Sequence, residues 1–116
     1  MINFLIDLTN SPKEKINAAN SPYALKENVN TPMKVDQILI YTKTDDTDEE
    51  AKAQKIASIH DTVTGKWYGT ISTTAIETVE MISETFAENI KTEPVEIMAI
   101  VMKSKSQREY LTIELL

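Results

Sequence analysis

The sequence predicts a mainly β domain with one major helix, in the order β-β-β-α-β-β after a short helical N-terminal segment. Three observations predict it. Five segments rich in β-branched, aliphatic and aromatic residues are each bounded by turn chemistry. One clear helical stretch, between the third and fourth of them, places apolar residues at three- and four-residue steps. The length of 116 residues, 41% of them apolar, suits a single core without a second module.

Residues 1–34 are weakly patterned and are expected to form an N-terminal extension that packs on the rest, with 35–116 as the main domain. Ser11-Pro12-Lys13-Glu14 carries a helix start: a capping hydroxyl, proline at the first helical position and glutamate three residues after the serine. Ser21-Pro22 repeats the signal ahead of Tyr23, Ala24 and Leu25, and Asn20, Asn28, Asn30 and Pro32 break it each time. Short helical turns and loops are expected there.

From Val35 to Lys43 the β-branched and aromatic content predicts the first strand. A solvated acidic loop follows, and Gln54 to His60 forms the second strand. Asp61-Thr62-Val63-Thr64-Gly65-Lys66 supplies a turn in which Gly65 is free to take a positive φ, and Trp67 to Ile71 returns as the third strand. Ser72-Thr73-Thr74 offers capping hydroxyls, and Thr74-Ala75-Ile76-Glu77 fits a capping box. The helix is expected from about Thr74 to Asn89, with an apolar stripe through Ile76, Val79, Ile82 or Ser83, Phe86 and Ile90. Thr92-Glu93-Pro94 ends the element. Val95 to Met102 reads as a fourth strand apolar on both faces, Lys103-Ser104-Lys105-Ser106-Gln107 as a turn, and Arg108 to Leu116 as a fifth strand. In that last strand Leu111, Ile113 and Leu115 alternate with Tyr110, Thr112 and Glu114. This is the connectivity of the five-stranded Greek-key OB-like barrel. A split sheet on one helix, or an SH3-like barrel with an inserted helix, has the same raw elements.

Composition narrows the function. The absence of cysteine excludes a disulfide framework and a thiolate metal site. The start Met1-Ile2-Asn3-Phe4-Leu5-Ile6-Asp7 lacks a basic leader, and no apolar run is long enough for a membrane span, so a cytoplasmic protein with no membrane partner is expected. The net charge of −6, from 12 Lys and Arg against 18 Asp and Glu, taken alone argues against a general nucleic-acid binder. The acids are clustered, however, at Asp45, Asp46, Asp48, Glu49 and Glu50, and at Glu77, Glu80, Glu84 and Glu88. The first cluster lacks the spacing and the glycine of a calcium loop, so it reads as a solvated loop and not as a metal site.

Nothing predicts an enzyme or a cofactor. The single histidine, His60, neighbours Asp61, but adjacent strand residues point to opposite faces, so it reads as a plain strand residue. With only Gly65 and Gly69 there is no glycine-rich phosphate loop, and no nucleophile elbow is present. A binding face is the better candidate. On an OB-like barrel the ligand crosses strands two and three and their flanking loops, where this sequence places Trp67, Tyr68, Tyr41 and Tyr110, with Lys66, Lys103, Lys105 and Arg108 around them. Lys55 and Lys43 stand near the other loops. Aromatic faces on which bases stack, with cations tracking the phosphates, are what a single-strand binder requires. Trp67 fits a barrel interior as well as a binding face. Tyr110, out of phase with Leu111 and Ile113, should face outward.

Trp67-Tyr68-Gly69-Thr70-Ile71-Ser72 with a helix directly after it, and the closing Lys103-Ser104-Lys105-Ser106-Gln107-Arg108-Glu109-Tyr110-Leu111-Thr112-Ile113, resemble the small single-stranded-DNA-binding proteins of bacteriophages. The resemblance covers about residues 33–116. It implies an OB-like fold that coats exposed single-stranded DNA in replication or recombination, as a monomer or homodimer, with replication proteins as further partners. Carried over by residue, it implies phosphate contacts from Lys103, Lys105 and Arg108, stacking by Tyr110, and a place for Tyr68 on the binding face. In two respects the sequence departs from the family pattern: Gln107 stands where glycine is expected, and the acidic tract should repel phosphate. A protein-binding module, such as a phage-encoded inhibitor that sets its acidic surfaces against a basic host site, is the alternative that the net charge favours.

Overall fold

A computed structural model describes residues 2–20, 23–44 and 53–116. The acidic tract Asp45 to Glu50 lies outside the described residues. The elements run β1 (Ile2–Asp7), α1 (Pro12–Ala19), β2 (Tyr23–Ala24), a 3₁₀ turn (Leu25–Asn28), β3 (Pro32–Lys43), β4 (Gln54–Asp61), β5 (Lys66–Thr70), α2 (Thr73–Phe86), β6 (Val95–Lys103) and β7 (Glu109–Leu115). All strands belong to one sheet, ordered β2-β5-β4-β3-β6-β7, with β1 paired to β3 off that path.

Strand β3 organises the sheet. Along one edge it pairs with β4 over nearly its whole length. Its other edge is shared: Pro32–Val35 pair with β6, and Leu39–Lys43 pair with β1. Between these halves, at Asp36, the register with β4 slips. Such a bulge changes the phase of the side chains and bends the strand. Met33 and Val35 before it therefore face the same core as Ile38 and Ile40 after it. The sheet curls around that core as a half-barrel, and α2 packs Ala75, Ile76, Val79, Ile82 and Ser83 into it.

Two corrections to the expected barrel follow. Two strands precede the five expected ones. Residues 2–7 carry apolar β-formers but are mostly exposed as a strand, so they show little of the alternation that marks a buried face. The barrel is also open: among the described residues no ladder joins β5 to β7. The edge of β5 that would meet β7 is taken by β2, in parallel register Tyr23↔Tyr68 and Ala24↔Gly69. Side chains bridge the gap instead. Ser72 Oγ and Thr74 Oγ1 donate to the Leu111 carbonyl at 2.7 and 3.1 Å.

The capping box expected at Thr74 does not form because the helix starts at Thr73, which makes Ser72 and not Thr74 the N-cap. Ser72 makes no side-chain capping bond; its hydroxyl is turned toward the Leu111 carbonyl on β7. The helix is three residues shorter at its end than expected, and Ile90 reaches the core from the turn beyond it. Strand β6 is buried on one face and not on both. The Ser11 signal behaves as read: its hydroxyl accepts from the Glu14 amide at 3.2 Å, with Pro12 opening α1.

The β4–β5 hairpin is built on Asp61, which is 1% exposed. Its carboxylate accepts from the Lys34 and Val63 amides, each at 3.1 Å, and from the Thr64 hydroxyl at 3.2 Å, while Gly65 takes φ 72°. Asp61→Ala is expected to lower stability by about 2 kcal/mol, since it removes acceptors from partly buried donors. A thermal melt should show a fall of roughly 8 °C. Asp61→Asn, which keeps one acceptor oxygen, should fall by less.

Candidate nucleic-acid interface

The face of the sheet turned away from the main core carries a second apolar cluster, formed by Leu39, Tyr41 and Trp67 under Ala18 of α1. Small residues at the end of α1 let it lie close, and the sheet satisfies its last carbonyls. Ser58 Oγ donates to the Ala18 carbonyl at 2.8 Å, and the Tyr41 hydroxyl donates to that of Ala19 at 3.1 Å. Burial pushes the Tyr41 phenol above its ordinary pKa. The Trp67 indole donates to Glu14 at 2.9 Å, so the glutamate of the helix-start signal serves a tertiary bond. On the far side α1 is tied to β1 by Lys15, whose ammonium lies 3.1 Å from Asp7 and 3.9 Å from the Phe4 ring centroid. Burial alone would raise the Asp7 carboxyl, but the Thr9 hydroxyl and amide and the Lys15 ammonium together hold it below its ordinary pKa.

The expected site residues therefore divide into three groups. Tyr41 and Trp67, 4% and 5% exposed, share the cluster beneath α1. Tyr68, 6% exposed, faces the main core on the other side of the sheet, its ring 5.9 Å from that of Tyr23. Lys66 sets its ammonium 4.8 Å from the Tyr23 centroid. Lys103, Lys105, Arg108 and Tyr110 come together on the β6–β7 hairpin. The three cations there are exposed and Tyr110 is half-buried. Among the described residues no acid forms an ion pair with those cations. Lys55, by contrast, is paired with Glu80 of α2. His60 pairs through Nδ1 with Asp36 at 2.7 Å and leans on Trp67.

Ser104 shapes the hairpin tip. Its carbonyl accepts from the Gln107 amide at 2.9 Å, its amide donates to the Arg108 carbonyl at 2.9 Å, and its hydroxyl accepts from the Arg108 amide at 3.3 Å. The motif serine thus directs the turn, and the flanking Lys103, Lys105 and Arg108 project from it. Gln107 occupies the left-handed position at φ 65°. The turn needs that conformation whichever residue fills it, which is why glycine is favoured there.

Beside this hairpin, along the open seam between β5 and β7, lies a cleft of about 570 Å³. Tyr41, Ile56, Ile71 and Leu111 wall it, and Gly69 and Ala24 line it without bulk. Sequence reasoning missed it, because it depends on β2 docking against β5. One signal was available: a glycine inside a strand often marks close approach by a ligand or another backbone.

Gln107→Gly is expected to raise stability by about 0.5–1 kcal/mol, since it removes the left-handed strain and returns part of the gain as unfolded-chain entropy. A thermal melt should move up by a few degrees.

The chain matches the family model of the Phi29 phage single-stranded DNA-binding proteins over residues 8–116. No curated protein matches. No solved structure matches. No described helix is long and apolar enough to cross a membrane. The match spans all but the first few residues, including the cation-bearing hairpin and the strand–serine–helix junction, and on it this chain belongs to the phage single-stranded DNA-binding protein family.

Proposed function

We propose that this protein coats single-stranded DNA without strong sequence preference in support of phage DNA replication or recombination, in the cytoplasm of the host cell. The family match carries the reading. The β6–β7 hairpin supports it, because three exposed cations and a half-buried tyrosine on one hairpin meet what a single strand presents. Lys103, Lys105 and Arg108 hold phosphates, and Tyr110 stacks on a base. Lys66 extends the cationic track on β5. The rings of Tyr41 and Trp67 are covered beneath α1 and that of Tyr68 lies in the main core, whereas the cations of the hairpin are exposed.

The test is a titration of fluorescent oligo-dT at several salt concentrations. For three or four phosphates neutralised, log K is expected to fall with log[salt] at a slope of about −2 to −3. Lys105→Ala and Arg108→Ala should each weaken binding and flatten the slope by about one contact. Tyr110→Ala should weaken binding by on the order of 1–3 kcal/mol at an unchanged slope, and Tyr110→Phe should be near neutral. Affinity that ignores salt would refute the reading.

The acidic tract is expected to oppose binding through repulsion of phosphate. Replacing Asp45, Asp46, Asp48, Glu49 and Glu50 with Ser or Asn should leave the melting temperature intact and tighten oligo-dT binding, most visibly at low salt.

A further inference from the structure

We propose that the cleft at the β5–β7 seam seats a single nucleobase turned out of the bound strand. The inference rests on the single-strand-binding reading and adds to it a site that the hairpin does not provide.

Four observations carry it. The cleft is apolar along its walls, with Ile56, Ile71 and Leu111 in its lining, and this suits the faces of a flat aromatic heterocycle. Its volume of about 570 Å³ admits a base together with its sugar. Gly69 and Ala24, the smallest residues of the β2–β5 pair, lie in its lining. Gly69 is not among the positive-φ residues, so its backbone does not itself require glycine. Lastly, Lys26 is the only charged side chain among the described lining residues, and a single cation beside an apolar slot suits the phosphate that accompanies a base.

The polar groups of the cleft are mixed. Ser58 and Tyr41, 0% and 4% exposed, give their hydrogens to the carbonyls of Ala18 and Ala19 and stay beneath α1. The Ser72 hydroxyl hydrogen is given to the Leu111 carbonyl, so its oxygen is left with lone pairs and accepts. Thr70 Oγ1 accepts from the Ser72 amide and still carries its own hydrogen, and Lys26 donates as well. Every nucleobase mixes donors and acceptors along its edges, so a cleft that offers both chooses weakly among the four. The cleft and the hairpin share strand β7, through Leu111 and Tyr110.

The experiment fills the cleft without adding an aromatic ring or a charge. Gly69→Val and, separately, Ala24→Leu are compared with the parent against two ligands of equal length: oligo-dT and an abasic sugar–phosphate strand. Both variants are expected to melt like the parent and to bind oligo-dT about tenfold more weakly, the effect of losing one stacked base. Binding to the abasic strand and the salt slope should be unchanged. If a folded variant binds oligo-dT as tightly as the parent, the cleft holds no base and the proposal is overturned, leaving an apolar peptide side chain as the next occupant to consider. Equal loss on both ligands overturns it as well, since the base would then make no difference. Should Gly69→Val fail to fold, Ala24→Leu at the exposed end of β2 decides alone. A parent protein that binds neither ligand at low salt would instead remove the single-strand reading itself.

Discussion

The two-sided burial of β3 is the constraint on which the rest of the structure depends. Ile38 and Ile40 point into the half-barrel, and Leu39 and Tyr41 point the opposite way beneath α1. A strand buried on one face needs a single covering layer; this one needs two, one from α2 and the curled sheet and one from the N-terminal segment. Each fully buried aliphatic side chain contributes about 1.5–3 kcal/mol. Removing either cover would expose a row of them. The bulge at Asp36 makes the arrangement possible, because it restores the inward phase after a bend and lets one edge serve β6 first and β1 afterwards.

Where the sheet does not close, side-chain hydroxyls take over from ladder hydrogen bonds. Ser72 and Thr74 reach the Leu111 carbonyl across the seam, while Ser58 and Tyr41 finish the last turn of α1. Buried polar groups without partners are costly, so an open seam survives only if its carbonyls find donors. The same commitments fix the Ser72 oxygen at the rim of the cleft as an acceptor, so a bond that holds the fold also sets part of what the cleft presents.

Charge works by place and not by total. A net charge of −6 would suggest repulsion from DNA. At physiological salt, though, exposed charges more than about 8–10 Å apart are largely screened from one another. On the proposed reading, a strand bound at the β6–β7 hairpin meets the exposed Lys103, Lys105 and Arg108 there. The glutamate nearest the middle of α2, Glu80, is occupied with Lys55.

Much of this architecture was legible in the amino-acid sequence. The strands from β3 to β7, the helix between β5 and β6, the Ser11 cap and the positive φ at Gly65 all follow from local chemistry: periodicity, β-branching and turn residues act within a few positions of one another. The cationic hairpin with Tyr110 was legible for the same reason, being one contiguous segment. Tertiary structure decided the rest. It alone buried Trp67 and Tyr41 beneath α1, since the strand pattern of each fits either face until a covering helix is in place. It alone moved the Ser72 hydroxyl from a cap to a cross-strand bond, and it alone opened a cleft at Gly69 by docking β2 on the edge that would have closed the barrel. Those outcomes join residues 20 to 50 or more positions apart, and competition among distant partners for one edge, one carbonyl or one face leaves no mark in a local sequence pattern.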